Sequence, residues 1–151
     1  MKKNIILFFL IFYFACSPKI EIKSNPNYIV PAEVNYRKYF MSNFNSLEPL
    51  EGIWTEYVVG TLYDGGKVIE RKEIAKRARW IVIKKGSYYK ILNEYGEQNK
   101  FEASFKQNKI KNSYVFECFF IKTQDHVKVE AKLIDDKTIE MAYNAPKGVF
   151  E

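Results

Sequence analysis

Few side chains in this 151-residue sequence combine the type and spacing that catalysis or metal binding requires. The single histidine, His126, follows Asp125 and could serve as a general base or a metal ligand. A solvated turn over residues 123–126 explains it better, because there is no second histidine to share a metal. The adjacent Asp135 and Asp136 lie between two predicted strands, where aspartate is typical of a turn. We therefore predict no catalytic residue and no metal site.

The cysteine and the glycines also lack a catalytic context. Cys118 lies in the apolar stretch 114–121 without a neighbouring base, which predicts a small buried side chain rather than a nucleophile. The glycines do not have the spacing that binds phosphate, and no serine lies in a nucleophile elbow. We predict that the protein is not an enzyme and uses no cofactor.

Ligand binding is a stronger expectation, because the chain is rich in aromatic residues. Its twelve phenylalanines and eleven tyrosines either line a cup for an apolar ligand or simply fill the core. Glu56 and Trp54 are two residues apart on a predicted strand and so point to the same face, where an inward carboxylate needs a partner or a ligand. The predicted ligand-binding residues are Trp54, Glu56, Val58, Trp80 and Tyr88.

The elements that position these residues are strands. After Leu50 the sequence alternates between apolar and polar residues, with tight turns such as Asp64-Gly65-Gly66 between the runs. This pattern predicts an all-β, antiparallel up-and-down meander of seven to eight strands that forms a barrel or a curved sheet. The predicted strands cover 53–63, 68–84 with a break or bulge near 75–78, 88–92, 101–106, 114–121, 127–133 and 139–143.

A short helix is predicted before the strands. Apolar residues recur at partly helical spacing between Val34 and Phe44, and Pro31 and Glu33 suit the first turn of a helix. We expect the apolar face of this helix to cap an open end of the β-structure.

The first residues have the layout of a secretory signal. Lys2 and Lys3 precede an apolar run from Ile5 to Phe14, and small Ala15 precedes Cys16. The run is shorter than the roughly 20 apolar residues of a membrane-spanning helix, which favours removal by a signal peptidase. With 47% hydrophobic residues, the remaining chain can bury the core of one domain.

The segment Tyr13-Phe14-Ala15-Cys16 resembles the lipobox of bacterial lipoproteins. That resemblance implies that Cys16 is lipidated and becomes the first residue of the mature chain; the alternative is an ordinary signal peptide cut nearby. The predicted organisation is a signal peptide over 1–15, a lipidated N-terminus and tether over 16–30, and the β domain over 31–151.

The Gly52-x-Trp54 sequence at the start of the first predicted strand resembles the signature of lipocalins and of lipocalin-like domains in bacterial lipoproteins. The similar strand order over residues 50–144 supports it. The resemblance implies a lipocalin-like barrel in which Trp54 plugs the closed base and Gly52 allows a close approach.

Charge argues against nucleic acid as a partner. Without Lys2 and Lys3 the chain has a net charge of +4, from 22 basic and 18 acidic residues. The basic residues in 67–85 are interleaved with Glu70 and Glu73, which is typical of the solvated face of a hairpin, with contact to an anionic polymer as the alternative.

These features together predict a membrane-anchored, lipocalin-like lipoprotein that binds a small hydrophobic or amphipathic ligand. The predicted location is the bacterial cell envelope, on the periplasm-facing side of the outer membrane. The alternative is a structural or interaction module, either with a protein partner in an envelope complex or as the N-terminal accessory part of a longer, truncated protein.

Overall fold

The computed structural model describes residues 31–146, in which one helix precedes nine strands. The predicted signal peptide, the lipidated Cys16 and the tether lie outside the described residues. Helix α1 covers Pro31–Ser42 and is followed by a 3-10 turn at Phe44–Ser46. The strands are β1 (Gly52–Thr55), β2 (Val58–Asp64), β3 (Lys67–Ile74), β4 (Arg79–Lys85), β5 (Tyr88–Asn93), β6 (Phe101–Gln107), β7 (Ser113–Phe120), β8 (Asp125–Asp135) and β9 (Thr138–Met141).

Seven of the strands form one antiparallel sheet in the order β1-β4-β5-β6-β7-β8-β9. The sheet curls into a half-barrel, with β1 and β9 at its two edges. Strands β2 and β3 form a separate two-stranded sheet, inserted in the chain between β1 and β4. The predicted all-β meander with a preceding helix is confirmed, and the curved sheet is the form it takes.

The first predicted strand, 53–63, is wrong as a continuous element, because it is divided between the two sheets. The interruption lies at Glu56, whose backbone N–H still donates to the carbonyl of Ala78 at 2.8 Å. The segment that faces Glu56, between β3 and β4, turns at the same level, with Lys76 at a positive φ of 55°. The break predicted near 75–78 is therefore confirmed, and it breaks the facing strand as well.

The β2–β3 hairpin, with its flanking residues, forms an arm over residues 57–77, here called the hairpin arm. Its turn uses Gly65 and Gly66, whose φ values of 53° and 79° are both in the left-handed region. Two consecutive positive φ values suit a type I′ turn, which glycine adopts without steric cost. Every residue from 61 to 73 is exposed, so the arm stands clear of the core.

The main core lies on the inner face of the seven-stranded sheet. One row of small and branched side chains faces across five strands and consists of Val82, Ile91, Ala103, Cys118 and Val127. All of them are buried. Larger aromatic rings lie beside this row and contact each other edge-on or tilted: Tyr89, Phe105, Tyr114 and Phe116. These rings fill the inner face beside the row.

Helix α1 packs on the outer face of the sheet and does not cap its end, so that expectation was wrong. Phe40 of the helix forms a second buried cluster with Ile81 of β4 and Leu92 of β5. The helix covers this part of the outer face because β4 and β5 carry apolar side chains on both of their faces. It also ends earlier than predicted, at Ser42, and Phe44 beyond it is 77% exposed. No helix within residues 31–146 is long and apolar enough to cross a membrane.

A buried carboxylate and a tight turn hold the helix in place. Glu33, with 3% exposure, accepts hydrogen bonds from Arg37 one turn later, at 2.5 and 2.9 Å, and from Arg79 of β4 at 2.9 Å. The turn after β5 packs against the helix, since a Cβ at Gly96 would lie 3.2 Å from the Tyr36 ring. Gly96 also has a φ of 79°, so both conformation and space require glycine.

Candidate functional site

Four half-buried aromatic residues lie together at one end of the inner face. Trp54 of β1 pairs with Trp80 of β4, and Phe101 of β6 pairs with Phe120 of β7. Trp80 and Phe101 contact each other with ring centroids 4.8 Å apart. We call these four residues the aromatic end. They pack against the core on one side and keep part of their surface exposed on the other.

The position of Trp54 is fixed by the segment that precedes β1. Its indole N–H donates to the carbonyl of Leu50 at 3.0 Å, which lays the ring back over Gly52. Gly52 has a backbone φ of 155°, which residues with a side chain rarely adopt. A Cβ there would still be 3.8 Å from the indole nitrogen. Backbone conformation, rather than the close approach implied by the lipocalin resemblance, therefore explains this glycine.

Glu56 lies beside the aromatic end, at the junction between β1 and the hairpin arm. Its side chain is only 18% exposed and faces the guanidinium of Arg77 at 3.8 Å. Burial raises the pKa of Glu56 above its ordinary value, although the charge of Arg77 and a hydrogen bond with Trp80 both lower it. The inward carboxylate expected from strand parity thus has partners. The ionised form is nevertheless less favourable here than in water.

Tyr143, which follows β9, reaches the same region from the opposite edge of the sheet. Its ring stacks on Phe116 with centroids 6.3 Å apart. Burial raises the pKa of the Tyr143 phenol, the charge of Glu56 raises it further, and Arg77 lowers it. The Glu56 carboxylate therefore interacts with the Arg77 guanidinium, the Trp80 indole and the Tyr143 phenol beside the aromatic end.

The other end of the inner face is closed. Leu50 is fully buried in the main core, so the segment before β1 crosses the sheet there. Glu48 accepts hydrogen bonds from the Tyr89 hydroxyl and from Lys84, and both contacts lower the pKa of the Glu48 carboxyl. The aromatic end therefore has partly exposed rings, whereas Leu50 and Tyr89 at the other end are buried.

The predicted ligand-binding residues fall in three places. Trp54, Glu56 and Trp80 come together at the aromatic end, as described above. Val58 is half-buried at the base of the hairpin arm, where it pairs with Ile74. Tyr88 lies on the outer face and lines an open, polar hollow of about 430 Å³.

The same hollow is lined by His126, which is the second residue of β8 and is not part of a turn as predicted. It pairs with Phe119 because the turn closes earlier, at Gln124. Asp135 does lie at a turn, where its carboxylate accepts the Lys137 N–H at 2.8 Å. Within residues 31–146, no group of three or more histidine, cysteine, aspartate and glutamate side chains is arranged to hold a metal.

Cys118 is buried, as predicted, with 3% exposure in the centre of the inner face. Burial raises the pKa of its thiol to about 11, so the thiol is protonated at physiological pH. A protonated, buried thiol has the role of a small apolar side chain.

Sequence reasoning missed four residues of this region: Arg77, Phe101, Phe120 and Tyr143. Phe101 belongs to a clear alternation with Ala103 and Phe105, so its inward direction was available from the sequence. Arg77 was grouped with the solvated basic residues. Tyr143 approaches Glu56 only because the sheet curls, which no local pattern indicates.

Replacing Glu56 with glutamine is expected to raise the thermal midpoint at about pH 8 and to change it little at about pH 4. A raised folded-state pKa means that the fold is most stable below the unfolded pKa of 4.5 and loses stability as pH rises through the folded pKa. Glutamine keeps a hydrogen-bond acceptor for Trp80 without the charge. Differential scanning fluorimetry across this pH range measures the effect.

Glu117→Gln is the matched control, with the opposite sign. Lys128 and Lys106, at 2.7 and 3.0 Å, lower the pKa of Glu117 to about 2. Its contribution is present above pH 4.5 and is lost as pH falls toward 2, so the variant should be less stable near neutrality. A stabilising Glu117→Gln or a destabilising Glu56→Gln at pH 8 would contradict these assignments.

No protein-family model, no curated protein and no solved structure matches the chain. The function is therefore inferred from the sequence features and from the geometry of residues 31–146.

Proposed function

We propose that this protein is a lipid-anchored lipoprotein of the bacterial cell envelope that binds a small hydrophobic or amphipathic ligand at the aromatic end. The lipobox-like sequence ending at Cys16 supports the anchor, with the domain facing the periplasm from the outer membrane. The observation that carries the binding proposal is the cluster of half-buried rings at Trp54, Trp80 and Phe101 beside the partly buried Glu56.

The chemistry of this cluster suits a ligand with an apolar body and a polar head. Half-buried aromatic rings lose the rest of their water contact when an apolar group covers them, which favours binding by about 25 cal/mol per Å² of apolar surface buried. Glu56 and Arg77 lie at the border of the rings and can accept from and donate to the polar head. The proposed activity is reversible binding and not catalysis.

The cost of keeping Glu56 ionised strengthens this proposal. A carboxylate whose pKa is raised by burial does not favour the folded state at neutral pH. Perturbed groups of this kind cluster at functional sites, although structural ion pairs also perturb pKa values. A ligand head that donates a hydrogen bond to Glu56 would compensate for the water that burial removes.

The closed part of the inner face favours a second candidate, the structural or interaction module. Leu50, Tyr89, Phe105 and Phe116 are all buried and fill the region that a deep lipocalin-like cup would occupy. In this case the domain joins an envelope complex or serves as an accessory part of a longer protein, and its aromatic end is only the margin of the core.

Native purification of the full chain followed by mass spectrometry tests the two candidates. We expect a stoichiometric hydrophobic or amphipathic molecule to co-purify. We also expect a hydrophobic probe such as N-phenyl-1-naphthylamine to bind, with the Trp80→Ala and Phe101→Ala variants about tenfold weaker, since one lost aromatic wall costs about 1–2 kcal/mol. Incorporation of radiolabelled palmitate, and its loss in Cys16→Ser, tests the anchor.

Tyr88→Ala is the matched control, because Tyr88 is an aromatic residue on the outer face. It should leave probe binding unchanged. Thermal unfolding of each variant shows whether the sheet remains folded. An empty, stable protein that does not respond to the probe would refute the ligand proposal and leave the interaction module.

A further inference from the structure

The tip of the hairpin arm is apolar in a way that the proposed ligand site does not explain. Leu62, Tyr63, Val68 and Ile69 are 54–62% exposed and surround the Asp64–Lys67 turn. Within residues 31–146, β2 and β3 pair with each other and with no further strand. Four large apolar side chains are thus held in water at the far end of a projecting element.

These residues lie on both faces of the two-stranded ribbon. Leu62 and Tyr63 are consecutive and point to opposite faces, and Val68 pairs with Tyr63. A bulge between Leu62 and Tyr63 leaves Ile69 without a register partner. A ribbon that docks on another protein needs only one apolar face. A tip with two apolar faces suits an apolar medium that surrounds it.

Charged residues flank the tip on both sides. Asp64 pairs with Lys67 at the turn, Glu70 faces Leu62, and the cations Arg71 and Lys72 face Thr61 and Gly60 in the next two positions of the ladder. Over residues 57–77 the arm has five basic and three acidic residues, a net charge of +2. One of the acidic residues, Glu73, accepts a hydrogen bond from the Tyr57 hydroxyl at 2.6 Å and forms an ion pair with the Arg71 guanidinium at 3.7 Å. The region behind the tip is therefore complementary to an anionic surface.

We propose that the tip of the hairpin arm inserts into the headgroup region of an anionic lipid bilayer. Leu62, Tyr63, Val68 and Ile69 enter the boundary between headgroups and acyl chains, while Lys67, Arg71 and Lys72 contact lipid phosphates. Apolar side chains flanked by cations are the residue combination of peripheral membrane contacts. The inference goes beyond the proposed ligand binding and does not depend on it.

The dimensions of the arm limit the insertion to the interface. Two to three residues per strand separate the turn from the Thr61–Arg71 pair, which is about 7–10 Å at a rise of about 3.3 Å per residue. Interfacial segments bury to a depth of about 5–10 Å. The outer edges of a two-stranded ribbon carry unpaired backbone groups, which require water or headgroups and exclude the hydrocarbon core.

Fluorescence quenching by brominated lipids in vesicles tests the insertion directly. The Tyr63→Trp variant of the full chain, with its N-terminal segment intact, is reconstituted into vesicles of phosphatidylglycerol and phosphatidylcholine. The matched control is Ile110→Trp, because Ile110 is 66% exposed in the loop after β6, at the opposite end of the sheet from the arm. The wild-type emission of Trp54 and Trp80 is subtracted from both.

We expect the tryptophan at position 63 to be quenched at least about threefold more strongly than the tryptophan at position 110. This difference should disappear in pure phosphatidylcholine and when Lys67, Arg71 and Lys72 are all replaced by glutamine, because these cations supply the attraction to anionic lipid. Equal quenching at the two positions overturns the proposal, and so does quenching that does not depend on lipid charge. Probe binding at the aromatic end is measured on the same Tyr63→Trp protein, so failure of one proposal is distinguishable from failure of the other.

Discussion

Replacing Arg37 and Arg79 together with methionine is expected to lower the free energy of unfolding by about 3–5 kcal/mol. The loss is large because Glu33 is only 3% exposed, and its hydrogen bonds come from these two arginines. Without them, a carboxylate remains buried after losing the two cations that it contacts within residues 31–146. Urea unfolding at neutral pH, followed by circular dichroism, measures the change.

Replacing the carboxylate instead of the two arginines is the control for this interpretation. Glu33→Gln removes the carboxylate but leaves two arginines whose side chains are 31% and 46% exposed and reach water. It should cost less, about 1–3 kcal/mol. If the arginine pair costs no more than Glu33→Gln, then the helix is held by Phe40 and its apolar neighbours, and the ion-pair cluster contributes little.

Replacing Leu50 with alanine is expected to destabilise the protein by about 2–5 kcal/mol. Leu50 is fully buried in the main core, so truncation leaves a cavity where its side chain fills the closed end of the inner face. The hydrogen bond from the Trp54 indole N–H to the Leu50 carbonyl does not involve the deleted atoms, which separates the packing loss from the hydrogen bond. Chemical unfolding followed by tryptophan emission measures both stability and the surroundings of Trp54.

Ile110→Ala gives the comparison at an exposed position. Ile110 is 66% exposed, and its truncation should change stability by no more than about 0.5 kcal/mol. A loss for Leu50→Ala below about 1 kcal/mol would contradict the assignment of this segment as the closure of the inner face.

Much of this fold follows from alternation and turn chemistry in the sequence. Gly65-Gly66 specified the hairpin turn, and the shared parity of Trp54 and Glu56 placed both on the inner face. That inference held because the backbone hydrogen bonding between β1 and β4 continues past the end of β1, where the Glu56 N–H donates to the Ala78 carbonyl. Local rules succeed where one face of a strand is polar and the other apolar.

Tyr88 shows where those rules stop. Strand β5 carries Tyr88 and Leu92 on one face and Tyr89 and Ile91 on the other, so alternation does not distinguish inside from outside. Only the packing of Leu92 under helix α1 decides the outer face. The proximity of Tyr143 to Glu56 was equally hidden, because it depends on the curl of the whole sheet.

The attachment of α1 also determines how the fold responds to a mechanical force applied from its N-terminal side. Tension that enters at Pro31 reaches Glu33 within two residues and passes through Arg79 into β4. Strand β4 is hydrogen-bonded to β1 on one side and to β5 on the other. Side-chain contacts of Glu33 and Phe40 attach α1, whereas backbone hydrogen bonds hold β4 on both sides, so we expect α1 to detach before the sheet shears. A pulled molecule would therefore lengthen by the uncoiling of one helix while its inner face stays folded.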